Sequence, residues 1–300
     1  MSDKAAWTLL RQTVLSQPSL QQQPQPRQLS VAERHHVKQQ VQPNGWDEGK
    51  IYSFMNQSDT KAYAIDLTYG GILVIYTNEP STIKTIAKEV NSILHWLGTP
   101  KGFTVYVWWR DDPRILEAHT WPTKTQVNGG WATPGKPAVH LYRKEEYIRV
   151  LIHETIHAMN WDWAMPSSPL PCWGLGKNAV LSPYLAEAWT ELYAEWLYCG
   201  WYNISWEAQK AWQHQQALQI LARQGNKPWA ENTNIFAYYI LKAALAPHIS
   251  FLWMFQTGQS NEEENRVLCA LVTPELDAMR QEAKTVKPKK ISMCMTLLKN

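Results

Sequence analysis

The chain has 300 residues, 45% of them hydrophobic and 18% charged, enough apolar sequence to bury the core of one large domain or two moderate ones. A formal net charge of +3 is too small to argue for a nucleic-acid partner, no apolar run is long enough to span a bilayer, and the opening Met1–Trp7 lacks a secretory signal. Cys172, Cys199, Cys269 and Cys294 are scattered without a CxxC pair, which predicts unpaired thiols and an intracellular, non-secreted setting.

From about Ser16 to Asn44 the chain is dominated by Gln and Pro, as in Gln21-Gln22-Gln23-Pro24-Gln25-Pro26. Such a composition cannot build a core and predicts a largely disordered arm over residues 1–45 through which an assembly partner could dock, with Ala5–Leu15 read as a frayed end and, as the alternative, a short helix. An α+β subdomain is expected over residues 46–160. It begins with a hairpin, Ala62–Leu67 and Ile72–Tyr76 around Gly70-Gly71. A helix follows from Ser81 to Leu97, with Ile83, Ile86, Val90, Ile93 and Leu94 at helical spacing and Gly98 as its stop. Phe103–Trp109 reads as a strand, Arg110–Arg114 as a solvated turn, and Thr125–Ala132 as a short strand whose Gly129 and Gly130 permit close backbone approach. Pro137–Tyr142 is a last strand leading into the central helix.

That helix carries His153-Glu154-Thr155-Ile156-His157, the pattern HExxH. Four residues apart, His153 and His157 project from one helical face and can bind one ion, with Glu154 beside them as general base for a metal-bound water. Val150, Leu151, Ile152, Ile156, Ala158 and Met159 make the helix apolar around most of its circumference, so its polar groups need partners. The competing reading is a pair of core histidines bonded to backbone carbonyls.

A catalytic zinc takes three protein ligands. Trp163 stands where a third histidine a few residues on would fall, and the neighbouring Asp162 is one alternative. The stronger source is the next helix, where Glu187, Glu191 and Glu195 share one stripe. The stretch from residue 161 to 286 is otherwise a proline- and aromatic-rich loop followed by helices at roughly Tyr184–Cys199, Trp206–Gln224, Ile235–Phe255 and Glu262–Glu282. Residues 287–300 form a basic tail, loose or clamped.

HExxH followed by Glu187 and, four residues later, Glu191 resembles the glutamate zincins, the thermolysin-like peptidases. The resemblance implies a zincin-like α+β fold, a small mixed sheet packed on the active-site helix with a mostly helical C-terminal subdomain. It also implies a Zn2+ cofactor, Glu187 as third ligand and Glu191 as the acid that receives the free N–H of His153. Ala186 departs from the family's usual asparagine, and the Pro-rich loop spaces the motifs widely. The run from Val127-Asn128-Gly129-Gly130 through Tyr142–Tyr147 to the HExxH is also similar to metallopeptidases of large nucleocytoplasmic DNA viruses, which implies host cytoplasm or virion.

The expectation is therefore a zinc metallopeptidase acting on a peptide or protein substrate, laid as an extra strand along Asn128, Gly129, Gly130 and Trp131. Oxyanion donors are available in Tyr184, Tyr193, Tyr238, Tyr239 and His248. The alternatives are a structural or virion-associated protein that keeps the fold without cleaving, suggested by 17 tryptophans and the Gln/Pro arm, and a zinc hydrolase of non-peptide substrates.

Overall fold

Alternating apolar residues in four segments of the chain build one mixed sheet, and the rest of the fold follows from which helices cover it. The structure, a computed structural model, describes residues 25–41, 47, 49–68, 70–162, 172, 184–227, 229, 231, 233–252 and 262–297. In chain order the elements are β1 (Arg27–Gln28), α1 (Val31–Gln40), α2 (Lys50–Met55), β2 (Lys61–Asp66), β3 (Ile72–Thr77), α3 (Ile83–Leu97), β4 (Thr104–Trp108) and β5 (Ile115–Leu116). Then come α4 (Lys124–Val127), β6 (Gly130–Ala132), β7 (Ala138–Leu141), α5 (Tyr147–Ala158), α6 (Tyr184–Tyr202), α7 (Trp206–Gln224), α8 (Lys242–Leu245), α9 (Ile249–Leu252), α10 (Glu262–Ala283) and β8 (Ile291–Ser292). The fold is α+β with a mixed sheet. Two compact units divide the described residues: those up to Pro113 together with Asn128–Asn160, and Arg114–Val127 together with those from Trp161 onward.

The first unit holds a six-stranded sheet in the order β1-β2-β3-β4-β7-β6, parallel at β3, β4 and β7 and antiparallel elsewhere. The β2–β3 hairpin turns at Gly70, whose φ of 83° favours glycine. Leu73, Ile75, Val105, Val107, Val139 and Leu141 alternate onto one face and are fully buried. That face is covered by α3 and α5, which contact strands and each other. Ile86, Val90 and Ile93 from α3 and Leu151, Ile152 and Ile156 from α5 are equally buried, each side chain contributing about 1.5–3 kcal/mol. The central helix is thus held by the core.

On the opposite face, residues 25–41 of the segment expected as a disordered arm are built into the fold. Over residues 25–41 the chain is ordered: β1 pairs with β2, and Leu29, Val37 and Val41 pack with Ile51, Phe54, Ala62, Ala64 and Val74. A capping box starts α1, the Ser30 hydroxyl accepting from Glu33 N at 3.2 Å and the Glu33 carboxylate accepting from Ser30 N at 2.8 Å. Three anchors and a cap outweigh a Gln-rich composition. Ala5–Leu15, frayed end or helix, lies outside the described residues.

Arg110–Arg114 is no solvated turn either. Arg110 is 8% exposed and Arg114 0%. Asp112 accounts for the burial on the first unit's side, meeting Arg110 Nη2 at 3.0 Å and Arg143 Nη1 at 3.6 Å.

In the second unit the helix expected at Ile235–Phe255 is segmented: a π-helical turn at Phe236–Leu241 runs into α8, a 3-10 turn at Ala246–His248 and α9. Pro247, which lacks an N–H, sits in the 3-10 turn. The basic tail is tied to the helical unit over residues 287–297, although Lys287, Lys289 and Lys290 themselves are exposed. Met293, Cys294 and Met295 are buried, and α7 holds their backbone through side chains at three- and four-residue steps. Gln209 Nε2 donates to Met295 O at 2.7 Å, Trp212 Nε1 to Cys294 O at 2.9 Å, Gln216 Nε2 to Cys294 O at 2.6 Å, and Gln219 Oε1 accepts from Lys289 N at 3.0 Å. β8 pairs with β5 as part of the same strap.

The cysteines also depart from expectation. Cys172 and Cys269 form a disulfide with Cα atoms 5.6 Å apart, while Cys199 and Cys294 are free and buried. Partners 97 residues apart leave no spacing signal, and the argument for a reducing compartment goes with them. No helix among the described residues is long and apolar enough to cross a membrane.

Candidate metal centre

The site is built on α5. Ahead of the helix Lys144 pairs with Glu79 at 2.5 Å, and in its first turn the Tyr147 hydroxyl bonds Glu89 of α3. Glu146, at φ 59° and 4% exposed, turns the chain into the helix, with Arg149 Nε 3.5 Å from its carboxylate. These contacts fix the rotation of α5 about its axis. His153 and Glu154 are 4% and 8% exposed, and the Nε2 atoms of His153 and His157 stand 3.0 Å apart.

Glu187 of α6 joins them: ligand atoms of His153, His157 and Glu187 all lie within 4.8 Å of one another, and the group could hold a metal ion. Tetrahedral ligation with bonds of about 2.0–2.1 Å puts ligand atoms about 3.3 Å apart. The two histidine nitrogens, 3.0 Å apart, are close to that spacing. Two imidazoles and a carboxylate suit a borderline divalent cation.

The three glutamates of the stripe have different surroundings. The Tyr238 hydroxyl donates to Glu187 Oε2 at 2.9 Å. Glu191, one turn on, is 1% exposed. Glu195 is fully buried against Lys242, and Gln209 and Gln213 donate to its carboxylate, so it serves the helical core. Asp162, the alternative ligand, is outside the metal group and accepts from Thr190 Oγ1 at 3.2 Å.

The expected substrate strand is shorter than the sequence suggested. Residues 124–127 form a helical turn begun at Thr123, whose carbonyl accepts from Val127 N, so the strand covers only Gly130–Ala132. Asn128 and Gly129 precede it, their carbonyls taken by Arg143 Nε at 2.8 Å and Tyr142 N at 3.0 Å. β6 is the outermost strand of the sheet among the described residues, and it runs against α5 at Glu154. A Cβ on Gly130 would stand 2.6 Å from His140 O, 2.7 Å from Val150 Cγ1 and 3.1 Å from Glu154 Cγ. On the other face Trp131 stacks on His140 at 4.4 Å and His140 on Tyr106 at 4.8 Å. Burial in that stack pulls the His140 imidazole down to about 4.

Of the candidate oxyanion donors, Tyr238 is bonded to a metal-group residue. Tyr239 donates to Met293 O in the core, His248 faces Glu275 at 3.7 Å, and Tyr193 stacks between Trp189 and Trp196 with burial raising its hydroxyl to about 12. The side chain of Tyr184 lies outside the described residues. The packing of Gly130 on Glu154 went unseen in the sequence, where the only signal was the Gly129-Gly130 pair itself. No family model, curated protein or solved structure matches the chain.

Proposed function

We propose that the chain is a zinc-dependent metallopeptidase of glutamate-zincin type, with His153, His157 and Glu187 as ligands. The observation that carries the reading is the convergence of those three side chains, two from an HExxH helix and one from the helix that follows it in the chain. A bound zinc supplies Lewis acidity and a water whose pKa is lowered towards neutrality. Glu154, 8% exposed and next to His153 in the helix, would act as general base for such a water and pass the proton to the leaving amine. The β6 edge offers unpaired backbone groups to an extended peptide, and Gly130 lets that edge lie close to the base. Glu191 is suited to orient His153 by accepting its second ring N–H, and the Tyr238 hydroxyl to stabilise the developing oxyanion.

The decisive experiment combines metal analysis with a peptide-library cleavage assay read by mass spectrometry. The wild type carries about one zinc per chain and cleaves; His157→Ala loses the metal; Glu154→Gln keeps it and is inactive. Full cleavage by Glu154→Gln would overturn the mechanism. Stoichiometric zinc without cleavage of any peptide would favour the structural, virion-associated reading.

A further inference from the structure

In the helical unit two cavities adjoin the C-terminal end of α7. The larger, about 650 Å³, is bounded by Leu221, Trp229 and Phe236 and by Lys227, Arg280 and Lys284. The second, about 350 Å³, takes in His119, Trp121, Arg223 and Pro288, and the two share Ala222, Gln224 and Lys227. Among the described residues no carboxylate lines either one.

Cations near helix C-termini have an ordinary explanation, since α7 and α10 both end here with arginines in their last turns. Each terminus is equivalent to about half a negative charge, and Asp277 opposes Arg280 at 3.4 Å. The two termini together offset about one unit of positive charge. Arg223 is particularly poorly matched, because the acceptors it meets are neutral: Gln219 O at 2.7 Å, Gln219 Oε1 at 3.1 Å, Glu117 O at 3.3 Å and the Lys289 carbonyl.

The second observation concerns two indoles. Trp121 and Trp229 meet edge to face at 5.4 Å, one lining each cavity. Both Nε1 atoms are buried without an acceptor among the described residues, and Trp229 is only 6% exposed. A buried N–H without a partner is costly, and an oxygen-rich ligand would remove the cost.

We propose that the joined cavities bind a small organic anion, its carboxylate or phosphate head met by Arg223, Lys227, Arg280 and Lys284 and its apolar body by Leu221, Trp229 and Phe236. None of these residues belongs to the metal group, so the proposal stands or falls separately from the peptidase reading.

Calorimetry on the full chain with 4-phenylbutyrate, phenyl phosphate and the neutral 4-phenylbutanamide tests it. At least one anion should bind one site at least tenfold tighter than the amide, and the stronger of the two identifies the head group. Lys227→Met combined with Lys284→Met, both exposed positions, should weaken that binding at least tenfold. In the unmodified chain the anion should also shift the indole N–H resonances of Trp121 and Trp229, a readout that needs no variant. Equal affinity for the amide, unchanged binding by the double variant, unmoved indole resonances, or no binding of either anion at millimolar concentration would each overturn the proposal.

Discussion

Gly130→Ala is the sharpest test of how the edge strand meets the central helix. The added methyl would lie 2.6 Å from His140 O and 2.7 Å from Val150 Cγ1, both well inside contact distance, and 3.1 Å from Glu154 Cγ. The carbonyl belongs to β7 and cannot rotate away, so β6 must move off its neighbour or α5 must retreat. Overpacking of this kind costs about 1–3 kcal/mol, which at roughly 3 °C per kcal/mol lowers the melting temperature by about 3–9 °C. Displacing the base by a fraction of an ångström should reduce peptide cleavage about a hundredfold, with zinc content unchanged because neither histidine is touched. Gly135→Ala is the control: its φ is 72°, so it carries backbone strain, but its Cβ meets nothing within 4 Å. Gly130→Ala melting within 1 °C of wild type and cleaving normally would refute the close packing of β6 on α5.

Lys242→Met leaves the Glu195 carboxylate buried without its cation and should destabilise the helical unit by about 3–5 kcal/mol in urea denaturation, with Glu195→Gln on the same chain restoring most of it; a single variant within 1 kcal/mol of wild type would contradict the buried pair. Neutral in the fold, with its imidazole pulled down to about 4, His140 contributes stability that is complete above about pH 6.5 and lost as pH falls towards 4, at most about 3 kcal/mol; His140→Phe should flatten melting temperature across that window relative to wild type. Unfolded without reductant, the chain should label two thiols with maleimide, Cys199 and Cys294, and four after reduction; four at the outset would exclude the Cys172–Cys269 bond. Glu187→Gln should lower zinc content, whereas Glu195→Gln should leave it intact.

How far the sequence could be read depended on whether the deciding interaction was local. The β2–β3 hairpin and α3 are written in alternation, helical spacing and Gly98, so they emerge within a residue or two of their places. Order in residues 25–41 is not local. It rests on Leu29, Val37 and Val41 reaching a sheet face formed by strands further along the chain, and a composition average dilutes three anchors among glutamines. The same limit hid the strap at 287–297, because glutamines spaced along α7 read as a solvated helix until an extended segment some 70–90 positions away supplies their partners.

The acidic stripe on α6 shows why periodicity located the centre without assigning its ligands. Glu187, Glu191 and Glu195 fall on one face, yet eight residues of helix rise about 12 Å, several times the span of a single coordination sphere. Only one end of such a stripe can reach one ion, and the other end must find a different reason to be buried. Lys242 provides it for Glu195, with two glutamines completing the carboxylate's hydrogen bonds. Glu187 accepts instead from a tyrosine hydroxyl, and its carboxylate lies within 4.8 Å of the ring nitrogens of His153 and His157. What each glutamate of the stripe can do is therefore set by what faces its turn of α6, and for Glu195 that is a lysine 47 residues further along the chain.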